Sequence, residues 1–244
     1  MSSTRIIPSP NIWQWPELYE AENRAQDVDG AIFSALERIA PWDGATVVDV
    51  GCGSGFHLPR FAAVAQRVVG IEPYEPLVRR ARARVDGVTN VDVRAGHAEA
   101  LPFADEEVDI VHARTAYFFG RGCGPGLVEA MRVLRPGGTL IVVDLDVTAS
   151  PYGEWMRADL PGYDCAAVER FFDARGFALE RVTTRWRFDD RRTLRSVLGI
   201  EFTERTATRA ARSLPGLEFD VRYRVHWRHK PVGLELAPPG RYVL

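Results

Sequence analysis

The stretch Val47-Val48-Asp49-Val50-Gly51-Cys52-Gly53-Ser54-Gly55 decides how this sequence is read. Its valines suit a strand covered on both faces, and the run passes directly into glycines at alternate positions. Glycine is needed where the backbone turns sharply or must come close to a ligand, because a Cβ would collide or forbid positive φ. A ligand is therefore expected on the loop, at the carboxyl end of the strand. Glu72 closes a second short strand ~20 residues after the first glycine, where a carboxylate can accept hydrogen bonds from ribose hydroxyls. Together these features predict an adenosine-ligand site.

Outward from that segment, strands alternate with helices. Val28, Ile32, Leu36 and Ile39 have helical spacing over 27–40 before Pro41, and strands are expected at 45–50, 67–71, 91–95, 108–113 and 139–144. Leu58, Phe61, Ala62 and Ala65 mark one intervening helix; Leu77, Ala81 and Val85, after Pro76, mark another, and a third spans 127–134. Pro136-Gly137-Gly138 reads as the turn from that last helix into its strand. Beyond Ser150 the pattern becomes helix at 165–175, strand at 178–188, helix at 191–213 and strand at 217–229. The fold class is α/β, Rossmann-like and doubly wound, with helices on both faces of a mostly parallel sheet. The whole chain, 1–244, reads as one domain: an N-terminal lid and helix at 1–44, a ligand-binding core at 45–148, and substrate-shaping helices with the last two strands at 149–244.

Composition excludes several classes. With 46% hydrophobic and 26% charged residues, disorder, collagen and coiled coil are ruled out. No apolar run approaches the ~18 residues of a membrane helix, and no secretory signal is visible at the start, so a cytoplasmic location is expected. Cys52, Cys123 and Cys165 are scattered and lack a CxxC pair, so neither a disulfide framework nor a metal site is expected. The net charge of −2 is uneven: residues 170–230 hold fifteen Arg or Lys against eight Asp or Glu. Within that region Arg181, Arg185 and Arg187, and again Arg222, Arg224, His226 and Arg228, fall on one face of each strand. Alternation of this kind implies strands that are antiparallel or at an edge, with one face uncovered. Solvation or pairing with nearby acids is the plainest role for these arginines; a subunit contact or an RNA surface is the alternative.

Four ordered blocks carry a family resemblance: the glycine segment above; Gly70-Ile71-Glu72-Pro73; Ala95-Gly96-His97-Ala98-Glu99-Ala100-Leu101-Pro102-Phe103; and Arg132-Val133-Leu134-Arg135-Pro136-Gly137-Gly138. Over roughly residues 45–145 the chain resembles the class I S-adenosylmethionine-dependent methyltransferases, in particular the type 11 branch that includes the ubiquinone/menaquinone C-methyltransferases. The resemblance implies seven strands with the final one antiparallel, and S-adenosyl-L-methionine as cofactor, with S-adenosyl-L-homocysteine as its product. It implies that Gly51, Cys52, Gly53 and Gly55 wrap the methionine part, that Asp49 faces its amino end, that Glu72 holds the ribose and that Pro73 lines the adenine. Ala98 and Glu99 fit the third block, whereas His97 stands where the family usually has an acid. The nicotinamide-dinucleotide alternative wants GxGxxG for a pyrophosphate; here the third glycine is displaced by one.

Methyl transfer from a sulfonium needs alignment more than a base. If a proton must leave, His112 and Tyr19 are the first catalytic candidates, with His57 and Tyr117 behind them. Trp13, Trp15 and Tyr19 form either a lid or a staple on the core. Arg114 pairs with the cofactor carboxylate, with an anionic acceptor, or with an acid at the strand end. The glycine-rich turn at 121–126 borders the acceptor pocket or is simply a loop. A small-molecule acceptor and a monomer or homodimer are expected; an RNA methyltransferase and a non-catalytic nucleotide-ligand module are the competing readings.

Overall fold

The computed structural model describes residues 9–233. Its framework is a seven-stranded sheet in the order β3-β2-β1-β4-β5-β7-β6. The strands are β1 (Thr46–Val50), β2 (Arg67–Glu72), β3 (Val91–Ala95), β4 (Val108–Arg114), β5 (Leu134–Leu145), β6 (Ala178–Arg187) and β7 (Glu218–His229). The first five are parallel, and β7 runs antiparallel to both β5 and β6. Every residue of β1 is buried, as its central place requires. At the β3 edge only Val93 is buried, and Arg94 pairs with Asp92 at 2.6 Å, a charged margin that discourages edge-to-edge association.

The alternation of β1 divides the apolar interior in two. Val47 joins a core with α3 (Ala31–Ile39), α4 (Leu58–Ala62), α9 (Arg191–Glu201) and α10 (Glu204–Ser213), while Val48 and Val50 face α6 (Gly124–Val133) and α8 (Cys165–Asp173). The helix α5 (Glu75–Arg84) packs on β3.

Several expectations are corrected. The helix expected from residue 27 begins at Ala31, because Asp27 and Gly30 take φ of 49° and 68°, and the Asp27 carboxylate accepts from Ile32 N–H; Val28 lies outside it. The long helix over 191–213 is two helices broken at Phe202 and Thr203, both extended, with Asp159 accepting from the Thr203 N–H. Pro136-Gly137-Gly138 does not link α6 to a strand. It lies within β5, where the pairing with β4 slips between Val108 and Ile110. Gly138 is required there, since a Cβ would stand 2.9 Å from the Asp109 carbonyl oxygen. Three short helices have no counterpart in the reading above: α1 (Pro10–Gln14), α2 (Pro16–Ala25) and α7 (Tyr152–Asp159).

The face expected to be bare on β6 and β7 is partly covered by α8. Arg224 is fully buried and His226 stacks on Phe172 with centroids 4.6 Å apart. The arginines find acids: Arg181 and Arg222 meet at Asp146, Arg224 reaches Asp144, and Arg185 and Arg187 share Glu218. Cross-strand pairing, rather than an open basic surface, accounts for these residues.

Candidate active site

A cavity of about 550 Å³ opens at the carboxyl ends of β1, β2 and β4, where ligands gather in parallel sheets. Its floor is the glycine turn. Gly51 and Gly53 adopt φ of 73° and 56°. Both lack room for a side chain: a Cβ on Gly51 would lie 2.5 Å from the Ala116 Cβ, and one on Gly53 would lie 2.8 Å from the Ile12 side chain. The N–H groups of Gly51 and Cys52 both donate to the Ile71 carbonyl, at 2.8 and 3.1 Å, which locks the turn to β2.

Glu72 ends β2 at the cavity wall and is buried. Its carboxylate accepts from the N–H of Gly53 at 3.1 Å and of Tyr74 at 2.9 Å, so one side chain ties the turn to the next loop. Burial pushes its pKa above the ordinary carboxylate range, against the pull of those two N–H groups. Pro73, Gly96, His97, Ala98 and Glu99 continue the wall, and Tyr117 donates to Glu99 at 2.6 Å. Tyr117 and Thr115 hold φ of 44° and 47°, so the loop after β4 is strained where it borders the cavity.

The roof comes from the N-terminal helices. Ile12 sits over Gly53, Trp13 stacks on Tyr74 with centroids 4.2 Å apart, and Tyr19 and Asn23 of α2, with Gln26 just after it, line the cavity. Ion pairs from Glu17 to Arg80 (2.6 Å) and from Glu20 to Arg84 (2.5 Å) fasten α2 to α5. Of the aromatic trio, Trp13 and Tyr19 line the cavity, whereas Trp15 does not and is 54% exposed.

Behind the roof lies a buried polar network. Glu22 accepts from Gln26 at 2.7 Å, and Glu201 accepts from Asn11 at 2.6 Å and from the Tyr152 hydroxyl. Burial foremost, and then the nearness of Glu201, raise the Glu22 pKa well above the ordinary range, and burial raises that of Glu201 as well. Burial, with the charges of Glu22 and Glu201 behind it, also pushes the Tyr19 phenol up. Arg114 donates through Nη2 to Gln26 at 2.7 Å, while its Nη1 is buried without a hydrogen-bond partner. Burial, with the charge of Arg114 second, holds His57, another cavity residue, well below the ordinary imidazole range.

Tyr19, Gly51, Cys52, Gly53, Glu72, Pro73, His97, Ala98, Glu99 and Arg114 are thus brought together at one cavity. Three others are not on its lining. Gly55 packs on α5, where a Cβ would lie 3.0 Å from that of Ala81. Asp49 and His112 face the core on the α4 side and bond to each other at 2.7 Å, with Phe61 against the imidazole. One Asp49 oxygen is thus engaged by His112, and neither residue is on the cavity lining. Asn11, Ile12, Asn23 and Gln26 escaped the sequence reading, although the aromatic spacing of 13, 15 and 19 pointed at their segment. Among the described residues no cluster of His, Cys, Asp or Glu could hold a metal ion, and no helix is long and apolar enough to cross a membrane.

Residues 48–142 match the family described as methyltransferase domain. The uncharacterized methyltransferase YcgJ of Bacillus subtilis is 33% identical over 100 residues, covering 40% of this chain and 40% of that one. The crystal structure of YcgJ superposes with a TM-score of 0.57 at 19% identity, over 82% of this chain and 98% of that one. An arsenite methyltransferase of Halobacterium salinarum is 30% identical over 155 residues, 58% of this chain and 38% of that protein. The [4+2]-cyclase SpnF shares the fold, with a TM-score of 0.60 at 20% identity over 86% of this chain and 85% of that one. The chain spans between 33% and 51% of the length of the first curated relatives it matches. The glycine turn and the strand end at Glu72 fall where the sequence blocks placed them, the final strand is antiparallel, and over residues 48–142 the chain carries the methyltransferase domain.

Proposed function

We propose that the cavity binds S-adenosyl-L-methionine and that the protein transfers its methyl group to a small-molecule acceptor. The observation that carries this reading is the pairing of Gly53 with Glu72: a turn that excludes side chains, held against a buried carboxylate, in one roofed cavity. The residues fit the cofactor on three counts. Gly51 and Gly53 hold the floor turn at positive φ and present backbone rather than side chains to the cavity, Glu72 offers acceptor oxygens for ribose hydroxyls, and the unpartnered Nη1 of Arg114 suits the cofactor's carboxylate. Cys52 and Pro73, with His97, Ala98 and Glu99, supply the rest of the wall.

The cofactor supplies an activated methyl on a sulfonium, so the chain's task is to bind, align and exclude water. Ile12 and Trp13 close the cavity from above, and Tyr19, whose raised pKa keeps the phenol protonated, acts as a hydrogen-bond donor to the bound molecules. Asp49 and His112 act in this reading as a positioning pair beneath the turn; His57 and Tyr19 are the titratable groups within reach of an acceptor. The arginines of β6 and β7, paired with carboxylates, favour a small molecule over RNA.

The test is calorimetric titration with S-adenosylmethionine and S-adenosylhomocysteine, followed by product detection with a panel of small acceptors. Binding with methylated product supports the proposal. Binding without turnover on any acceptor favours a ligand-binding module, and a response to a nicotinamide dinucleotide alone rejects it.

A further inference from the structure

Leu160, which caps α7 and is 51% exposed, lines both the main cavity and a second cleft of about 260 Å³ between α7 and the break separating α9 from α10. A second link joins them, because Asn11 of the cavity roof donates at 2.6 Å to Glu201 of the cleft wall. The apolar side chains facing this cleft are Tyr152, Met156, Leu160 and Phe202.

The polar groups of the same wall are already satisfied within it. Asp159 accepts from the Thr203 N–H and from the hydroxyls of Thr203 and Thr206, and Glu201 accepts from Asn11 and Tyr152. A wall whose carboxylates are all engaged offers an incoming molecule little beyond apolar contact. Phe119, also on the lining of the main cavity, is 46% exposed, so a second large apolar side chain is open to solvent there.

We infer that the methyl acceptor carries an apolar alkyl tail, which leaves the main cavity across Leu160 and lies in the cleft against Met156 and Phe202. This rests on the methyltransferase reading for the identity of the head group, but the tail site has its own test. A tail in the cleft would also press the Asn11–Glu201 link, so that a bound acceptor and a closed roof support one another.

The experiment measures 1-alkanols of six to ten carbons against the protein, alone and saturated with S-adenosylhomocysteine, by calorimetry. Burial of the chain should tighten binding roughly fourfold for each added CH₂, without expelling S-adenosylhomocysteine. Met156→Asp should flatten this dependence while leaving S-adenosylhomocysteine affinity unchanged, and Met156→Leu should preserve it. Affinity independent of chain length overturns the inference, as does an undiminished dependence in folded Met156→Asp or mutual exclusion between alkanol and S-adenosylhomocysteine. If S-adenosylhomocysteine itself fails to bind while the chain-length dependence persists, the cofactor reading falls and the apolar-chain site stands.

Discussion

Asp49 and His112 stand side by side in register on β1 and β4, and the Asp49 carboxylate lies 2.7 Å from the imidazole Nδ1 with both side chains buried. The pair bridges the strand that ends in the glycine turn and the strand that ends in the strained loop after Arg114. It lies off the cavity lining and joins the two strands whose following loops line the cavity.

Removing one member of that pair leaves the other buried and unsatisfied. Asp49→Ala is expected to lower unfolding stability by about 1–3 kcal/mol and to weaken S-adenosylhomocysteine binding by displacing the turn. Urea denaturation and calorimetry check this. Wild-type stability in the variant would show that the contact contributes nothing.

Gly53→Val places a branched side chain where φ is 56° and where Ile12 already stands 2.8 Å from the Cβ position. The Ile12 tip must shift and a β-branched residue must hold positive φ, so cofactor affinity is expected to fall at least tenfold with the core intact by circular dichroism. Unchanged affinity would place the ligand elsewhere.

Glu72→Ala removes the acceptors for two backbone N–H groups as well as the expected ribose contact. Cofactor binding should weaken by about 1–3 kcal/mol, with S-adenosylhomocysteine and S-adenosylmethionine affected alike, because the two share the same ribose.

Glu22 makes stability depend on pH. Its folded pKa is raised above the ordinary 4.5, so its contribution is fully present below that value and is lost as pH rises through the folded pKa. Glu22→Gln cannot ionise. Compared with this variant, the wild type should lose stability on going from acid to neutral pH, and denaturation midpoints across that window provide the measurement. Parallel profiles would show that the Glu22–Glu201 pair carries no such load.

Burial separates two arginines that look alike in the sequence. Arg224→Ala strands Asp144, whose pKa burial already raises, and is expected to cost about 3–5 kcal/mol. Arg187→Ala breaks only an exposed pair with Glu218, its partners 52% and 46% accessible, and should change stability by under about 1 kcal/mol. Comparable losses in both variants would refute the distinction.

The sequence by itself determined the parallel half of the sheet, because residues covered on both faces must be apolar and β1 and β2 are nearly so throughout. It also determined the glycine turn and Glu72, whose chemistry is local: positive φ, a missing Cβ, and a strand end ~20 residues on. It could not separate the helices around Thr203, since that break depends on a carboxylate from Asp159, 44 positions away. Nor could it tell that Asp49 looks inward to His112, or that Ile12, Asn23 and Gln26 roof the cavity. A side chain's direction and partners follow from which strands lie adjacent and which helix closes over them. Those are contacts between residues far apart in the chain, and only the tertiary structure decided them.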